Sequence, residues 1–177
     1  LVKAVRDAVP AHIPVSAKMR LGYLDEHHTL DNAHAIEDAG ASWLTVHART
    51  KADGYTPPAY WEKIQPIQDA LNINVIANGE IWNNADAKAC QQQSACQDLM
   101  IGRGAVTTPD LTLCIRQNRD EALLSWQDLV ELQLRFVNGA FKTEIGMVGR
   151  YKQWLGMMSK AYPEAKALWN EIKRLNT

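Results

Sequence analysis

Four short apolar runs in this 177-residue chain each end in side chains that can hold an anion or a hydroxyl. The first closes on Lys18 and Arg20, the second on His47 and Arg49, the third on Asn78, Gly79 and Glu80, and the fourth on Gly102, Arg103 and Gly104. Lysine and arginine bring positive charge, histidine and asparagine bring donors, and a glutamate carboxylate accepts from hydroxyls. Each position also has a plain structural explanation. Lys18 and Arg20 share one parity, so on a strand both point the same way, and the lysine either meets an anion or carbonyl or reaches past the edge to solvent. His47 is either a satisfied core histidine or a donor to a ligand oxygen. The Asn78-Gly79-Glu80 tripeptide is a turn in its own right, with Gly79 free to take positive φ, and Glu80 is a plausible hydroxyl acceptor. Gly102-Arg103-Gly104-Ala105 offers backbone N–H groups, a guanidinium and a helix start soon afterwards: a phosphate cup, or simply a turn.

The elements that must position these residues alternate. The apolar runs begin at Ile13, Trp43, Ile73 and Asp98, spaced by 30, 30 and 25 residues. That is the size of a strand-helix-strand unit with parallel neighbours buried on both faces, and it predicts a parallel sheet. Between the runs, a helix from Thr29 ends at a left-handed Gly40 cap with Leu30, Ala33 and Ile36 inward, and Pro66 divides the next stretch into a turn and a restarted helix. A further helix follows at Asn83, and another has Pro109 in its first turn. After Asn118 helices follow one another without strands. One opens at a capping Ser125, one runs from Thr143 to the break at Pro163, and the last carries Ala165, Leu168, Trp169, Ile172 and Leu175 on one stripe. Ligands of parallel α/β folds gather at the carboxyl ends of the strands, where the polar residues lie.

With 46% apolar residues and no run near the ~20 needed to span a bilayer, the chain has material for one sizeable core and a small second domain. No signal or transit segment is read at its start, and the first helical stretch is already under way at Leu1, so the expectation is a piece of a longer cytoplasmic protein. Three cysteines without a C-x-x-C pair point away from disulfides and from a metal site. The net charge of −1 hides an asymmetry: from Lys142 onward seven Lys/Arg face three Asp/Glu, and before it twelve face seventeen. The basic tail either meets a polyanion or forms solvated helix faces.

In this order, and followed by "RYKQWL", the stretches "VSAKMRLG", "VHARTKADGY", "VIANGEIWN" and "LMIGRGA" resemble the tRNA-dihydrouridine synthases, with "NGEIW" and "KQWL" closest to the C subfamily. The resemblance covers essentially the whole chain. It implies an α/β fold forming the second half, strands 5 to 8, of a TIM (β/α)8 barrel over residues 1–120, followed by an all-α helical-bundle domain over 121–177. It also implies an FMN-dependent enzyme that takes reducing equivalents from NADPH and reduces the C5–C6 double bond of a uridine in the tRNA D loop, at position 16 in this subfamily.

Carried over by position, Lys18 and His47 resemble residues that contact the flavin ring, and Asn78, Gly79, Glu80, Gly102 and Arg103 resemble those holding its ribityl chain and phosphate. Arg20 resembles a substrate-side residue, and Arg150, Lys152 and Lys173 fall where the subfamily contacts tRNA. The family's general acid is a cysteine in a "CGCP"-like loop. Cys90, Cys96 and Cys114 lie in or after helices and read as structural thiols, so no catalytic residue is assigned and the chain alone is expected to be inactive. Four strands would leave two sheet edges open, inviting self-association or a collapsed half-barrel, with the phosphate cup empty or holding a buffer anion. Two other readings fit less of the sequence. An FMN-dependent small-molecule oxidoreductase of the TIM-barrel class leaves the basic tail unexplained, and a non-catalytic RNA-binding fragment fits a partial barrel.

Overall fold

The computed structural model describes residues 1–140 and 147–175. The expected helix start at Thr143, and Lys142, lie outside the described residues. Two compact units are present, Leu1–Ile81 with Ala85–Gly102, and Trp82–Asn84 with Arg103–Thr177.

The first unit runs α1 (Val2–Ala8), β1 (Ala17–Gly22), α2 (Thr29–Asp38), β2 (Trp43–Thr50), a 3-10 turn (Trp61–Lys63), α3 (Gln65–Ala70), β3 (Asn74–Asn78), α4 (Asn84–Ser94) and β4 (Asp98–Met100). The four strands form one parallel sheet in the order β1-β2-β3-β4, so β1 and β4 are its edges. β1 begins four residues later than its apolar run. Pro14 has no N–H for a ladder, and the preceding loop is closed by Ile13 N–H to Pro10 O at 3.0 Å. The Arg6 guanidinium braces the same loop, donating to the carbonyls of Val9, Pro10 and Ile13 at 2.7 Å each. Lys18 and Arg20 therefore sit inside the strand. β2 likewise extends past His47 to Thr50, which pairs with Gly22 across an irregularity between Arg20 and Gly22.

One face of the sheet is dry. Leu44, Val46, Ala48, Val75 and Ala77 are fully buried, as are Ala33, Ile64 and Ile67 of the helical layer. Their burial is the main favourable term for this unit. α2 turns Thr29 and Ala33 inward and leaves Leu30 exposed, contrary to the predicted stripe. The Thr29 hydroxyl sets that rotation by donating to Leu21 O and to Glu26 O. Gly40 ends the helix at φ +84° with its N–H on Glu37 O. The 3-10 turn ends at Lys63 and α3 starts at Gln65, with Pro66 in its first turn, where no donor is needed.

The second unit is all-α in its described residues: α5 (Arg103–Thr107), α6 (Leu111–Arg116), α7 (Trp126–Ala140), α8 (Met147–Met158) and α9 (Pro163–Ile172). Pro109 precedes α6 instead of opening it; Asp110 is the N-cap, and its carboxylate accepts the N–H groups of Leu123 and Leu124 instead of capping the helix. α7 is capped reciprocally. The Ser125 hydroxyl accepts Asp128 N–H at 3.2 Å, and the Asp128 carboxylate accepts Ser125 N–H at 2.8 Å. Leu129, Leu155, Met158 and Ala165 form the centre of this unit, flanked by Trp126, Trp154, Tyr162, Leu168, Trp169 and Ile172. Leu175 lies beyond the end of α9 and is exposed, so the expected stripe stops at Ile172.

Candidate functional site

The strand registers bring four residues onto one rung near the carboxyl end of the sheet. Arg20 pairs with His47, His47 with Asn78, and Asn78 with Met100. Residues paired across a parallel ladder share a face, so Lys18, two residues before Arg20, and Arg49, two after His47, belong to the same side. That side is opposite the dry one and is less covered. Ile76 and Asn78 are half-buried, Lys18 is exposed, and only central β2 is buried throughout its Thr45, His47 and Arg49 positions.

Loops fix most of these side chains in place. Arg20 donates Nη1 to Thr50 O at 2.7 Å and Gly54 O at 2.9 Å, and its guanidinium lies 5.3 Å from the centre of the Tyr55 ring. His47, buried, has its ring centroid 6.1 Å from that of Tyr55. The loop between them is set by Asp53, whose carboxylate accepts the N–H and hydroxyl of Thr50; the hydroxyl contact chiefly holds the Asp53 carboxyl below the ordinary range. Asn78 donates its amide to Met100 O at 2.7 Å. Lys18 makes no hydrogen bond or ion pair among the described residues. Desolvation, and then the charge of Arg20, push its ammonium below the usual lysine range.

The turn after β3 has unusual backbone geometry. Gly79 takes φ +129°, its carbonyl accepts Trp61 Nε1 at 2.7 Å, and a Cβ added to it would lie 3.1 Å from both His47 Cδ2 and Ala59 Cβ. Glu80 follows at φ +52°. Its carboxylate Oε1 accepts Nη1 of Arg49 at 3.1 Å, and Arg49, fully buried, also donates Nε to Pro58 O at 3.1 Å. Arg49 was legible only as a polar residue at the end of an apolar run; its parity with His47 is the signal that places it on this face, and a buried arginine calls for a carboxylate. Nothing in the sequence singled out Tyr55.

Gly102, by contrast, has open space where a side chain would go. Arg103, the first residue of α5, stacks its guanidinium 5.1 Å from the Trp82 ring centre. In the helical unit Arg103 and Arg150 line one groove of about 740 Å³ with Val106, Phe136, Trp154 and Met157. Trp154 is fixed there by Nε1 to Val106 O at 3.0 Å and meets the Phe136 ring edge-on at 5.0 Å. Lys152 and Lys173 do not line this groove. Lys152 donates to Leu175 O, and Lys173 to Asn170 Oδ1 at 2.7 Å.

Cys90, Cys96 and Cys114 are buried free thiols. Burial pushes all three up, Cys90 to about 12. Among the described residues no group of histidine, cysteine and carboxylate side chains could hold a metal ion, and no helix is long and apolar enough to cross a membrane.

The family described as dihydrouridine synthase matches residues 1–175. Three similar proteins carry the name tRNA-dihydrouridine(16) synthase. The Shewanella oneidensis protein is 44% identical over 100% of this chain and 56% of its own length, and that of Pseudomonas putida is 44% identical over 98% and 55%. The Haemophilus influenzae protein of that name is 40% identical over 99% and 57%. The chain thus spans a little over half the length of these relatives. A solved Salmonella typhimurium RcsB response regulator superposes with a TM-score of 0.29 at 14% identity over 92% of this chain and 99% of that one, too loosely to bear on the fold.

Proposed function

The chain belongs to the dihydrouridine synthase family, and we propose that the whole protein is an FMN-dependent, NADPH-driven enzyme reducing the C5–C6 double bond of a uridine in tRNA. The subfamily is C and the uridine is position 16 of the D loop, 16 being the number in the relatives' names. The four strands are strands 5 to 8 of an eight-stranded barrel, residues 1–120 forming half of the FMN-binding domain and 121–177 a helical tRNA-binding domain, in a cytoplasmic protein.

What carries this reading is the rung of Arg20, His47 and Asn78 on the less covered face, at the strand ends where parallel barrels bind ligands. The residues present fit a flavin. Arg49 Nη2 is buried without an aligned acceptor, and Lys18 keeps an ammonium on the same face. Lys18 and His47 would hold the flavin ring, Asn78, Gly79 and Glu80 its ribityl chain, and Gly102 with Arg103 its phosphate. When bound, the flavin supplies the two-electron reduction of the uracil double bond. The protein's part is to orient, to exclude water and to place Lys18 beside the ring.

Arg20 is assigned to the substrate side, and Arg150, Lys152 and Lys173 to the phosphates of tRNA, a role that makes binding salt-dependent. Cys90, Cys96 and Cys114 are too buried to reach a base, so the proton donor to uracil is none of them. The test is the full-length protein with NADPH and tRNA devoid of dihydrouridine, read by mass spectrometry of the digested tRNA. Position 16 gains two hydrogens if the reading is right. A flavoprotein that consumes NADPH on small-molecule acceptors while leaving every uridine intact would reject it.

A further inference from the structure

The turn after β3 is braced by a residue to which the flavin assignment gives no contact with the cofactor. Arg49 is fully buried and reaches two loops at once: Nε to Pro58 O, in the loop after β2, and Nη1 to Glu80 Oε1, in the turn after β3, both at 3.1 Å. Its Nη2 lies 3.1 Å from the same oxygen but is angled away from a hydrogen bond. Stability alone is a poor reason for this arrangement. Desolvating a guanidinium and a carboxylate is costly, and a well-packed apolar residue commonly serves a buried position as well or better.

The backbone points to another reason. Gly79 at φ +129° and Glu80 at φ +52° are consecutive residues in the left-handed half of conformational space, which a glutamate adopts only when its surroundings hold it there. Trp61 Nε1 holds the first through Gly79 O, and Arg49 holds the second through the carboxylate. Arginine suits the task because its planar fork can serve two acceptors in fixed directions, which the single ammonium of lysine does less well.

We propose that Arg49 is a positioning residue: by tying Glu80 to the Pro58 loop it holds the Asn78-Gly79-Glu80 turn in the geometry that receives the ribityl hydroxyls of FMN. This rests on the flavin reading above. The role is specific to the hydroxylated chain of the flavin and not to its ring.

The experiment compares Arg49→Lys and Arg49→Met with the wild type in the full-length protein, stripped of flavin. Affinities for FMN, riboflavin and lumiflavin, which has the ring but no ribityl chain, are measured by fluorescence titration, with circular dichroism to confirm folding. Losing a charge-assisted contact at the turn weakens FMN and riboflavin by roughly tenfold or more. Lumiflavin affinity stays within about twofold, and lysine recovers part of the loss seen with methionine. Folded variants that weaken all three ligands equally, or none, overturn the role of Arg49 alone. Wild-type protein that takes up no flavin overturns both the role and the function it rests on. If Arg49→Met does not fold, Arg49→Lys decides by the same comparison.

Discussion

Gly79 stands where no side chain fits beside His47: a Cβ added there would fall 3.1 Å from His47 Cδ2, with φ at +129°. Gly79→Ala therefore meets a conformational penalty of about 1–3 kcal/mol together with a clash against a buried ring. Denaturant unfolding of the variant has a lower midpoint, corresponding to a stability lower by at least that much. Gly102→Ala is the contrast, since nothing lies within 4 Å of its added carbon. Its stability stays within about 0.5 kcal/mol of wild type, and any defect appears as weakened FMN phosphate binding.

The buried thiols make stability depend on alkaline pH in a predictable direction. In the unfolded chain Cys90 ionises near its ordinary 9.0, and in the fold burial pushes it up to about 12. Between those values the unfolded chain holds fewer protons than the native one, so stability falls as pH rises through the window and is unaffected by this group below it. Tyr162, also pushed up to about 12, adds a fall that begins nearer 10.0. Denaturant midpoints measured from about pH 8 to 11 decline, and Cys90→Ala flattens the earlier part of the decline. A wild-type midpoint constant over that range would contradict the burial of Cys90.

The strand-helix rhythm was legible because parallel strands announce themselves as apolar runs, and the change to all-helix because the runs cease, although it begins at Arg103 and not after Asn118. Strand limits were less so. β1 starts late because Pro14 cannot donate, and it continues through Arg20 because pairing with His47 outweighs the polar side chain. Arg20, His47 and Asn78 were each visible as polar strand-end residues, but their shared rung depends on register, which single runs do not specify. Arg49 was hidden for a different reason: its meaning lies in a contact with Glu80, thirty-one residues away. Leu30 misled because helical periodicity ignores the Thr29 hydroxyl, whose bonds to Leu21 and Glu26 set the rotation of α2.

Lys18 separates function from stability. Its ammonium is disfavoured first by desolvation and then by Arg20, which together outweigh the opposing effect of Tyr55. Lys18→Met should leave the flavin-free protein at least as stable as wild type, since it removes a charge the fold disfavours, while weakening flavin affinity. Thermal melts of the stripped protein and a flavin titration check the two halves. A variant that melts lower yet binds flavin normally would assign Lys18 to structure instead.

The basic residues of the helical unit give the sharpest test of the RNA partner, because phosphate contacts have a signature that packing does not. Arg150 lines a groove with Arg103 and Trp154, whereas Lys152 reaches Leu175 O along the exposed side of α8. If both neutralise tRNA phosphates, each releases about one condensed counterion on binding. Reversing both, Arg150→Glu with Lys152→Glu, should weaken tRNA binding in the full-length protein and lower the slope of log affinity against log salt by up to about two. Flavin absorbance should stay intact, since neither residue is assigned to the cofactor. Lower affinity with an unchanged salt slope would mean that the substitutions act by disturbing the groove around Trp154 and not by losing phosphates, and unchanged affinity would remove both residues from the tRNA interface.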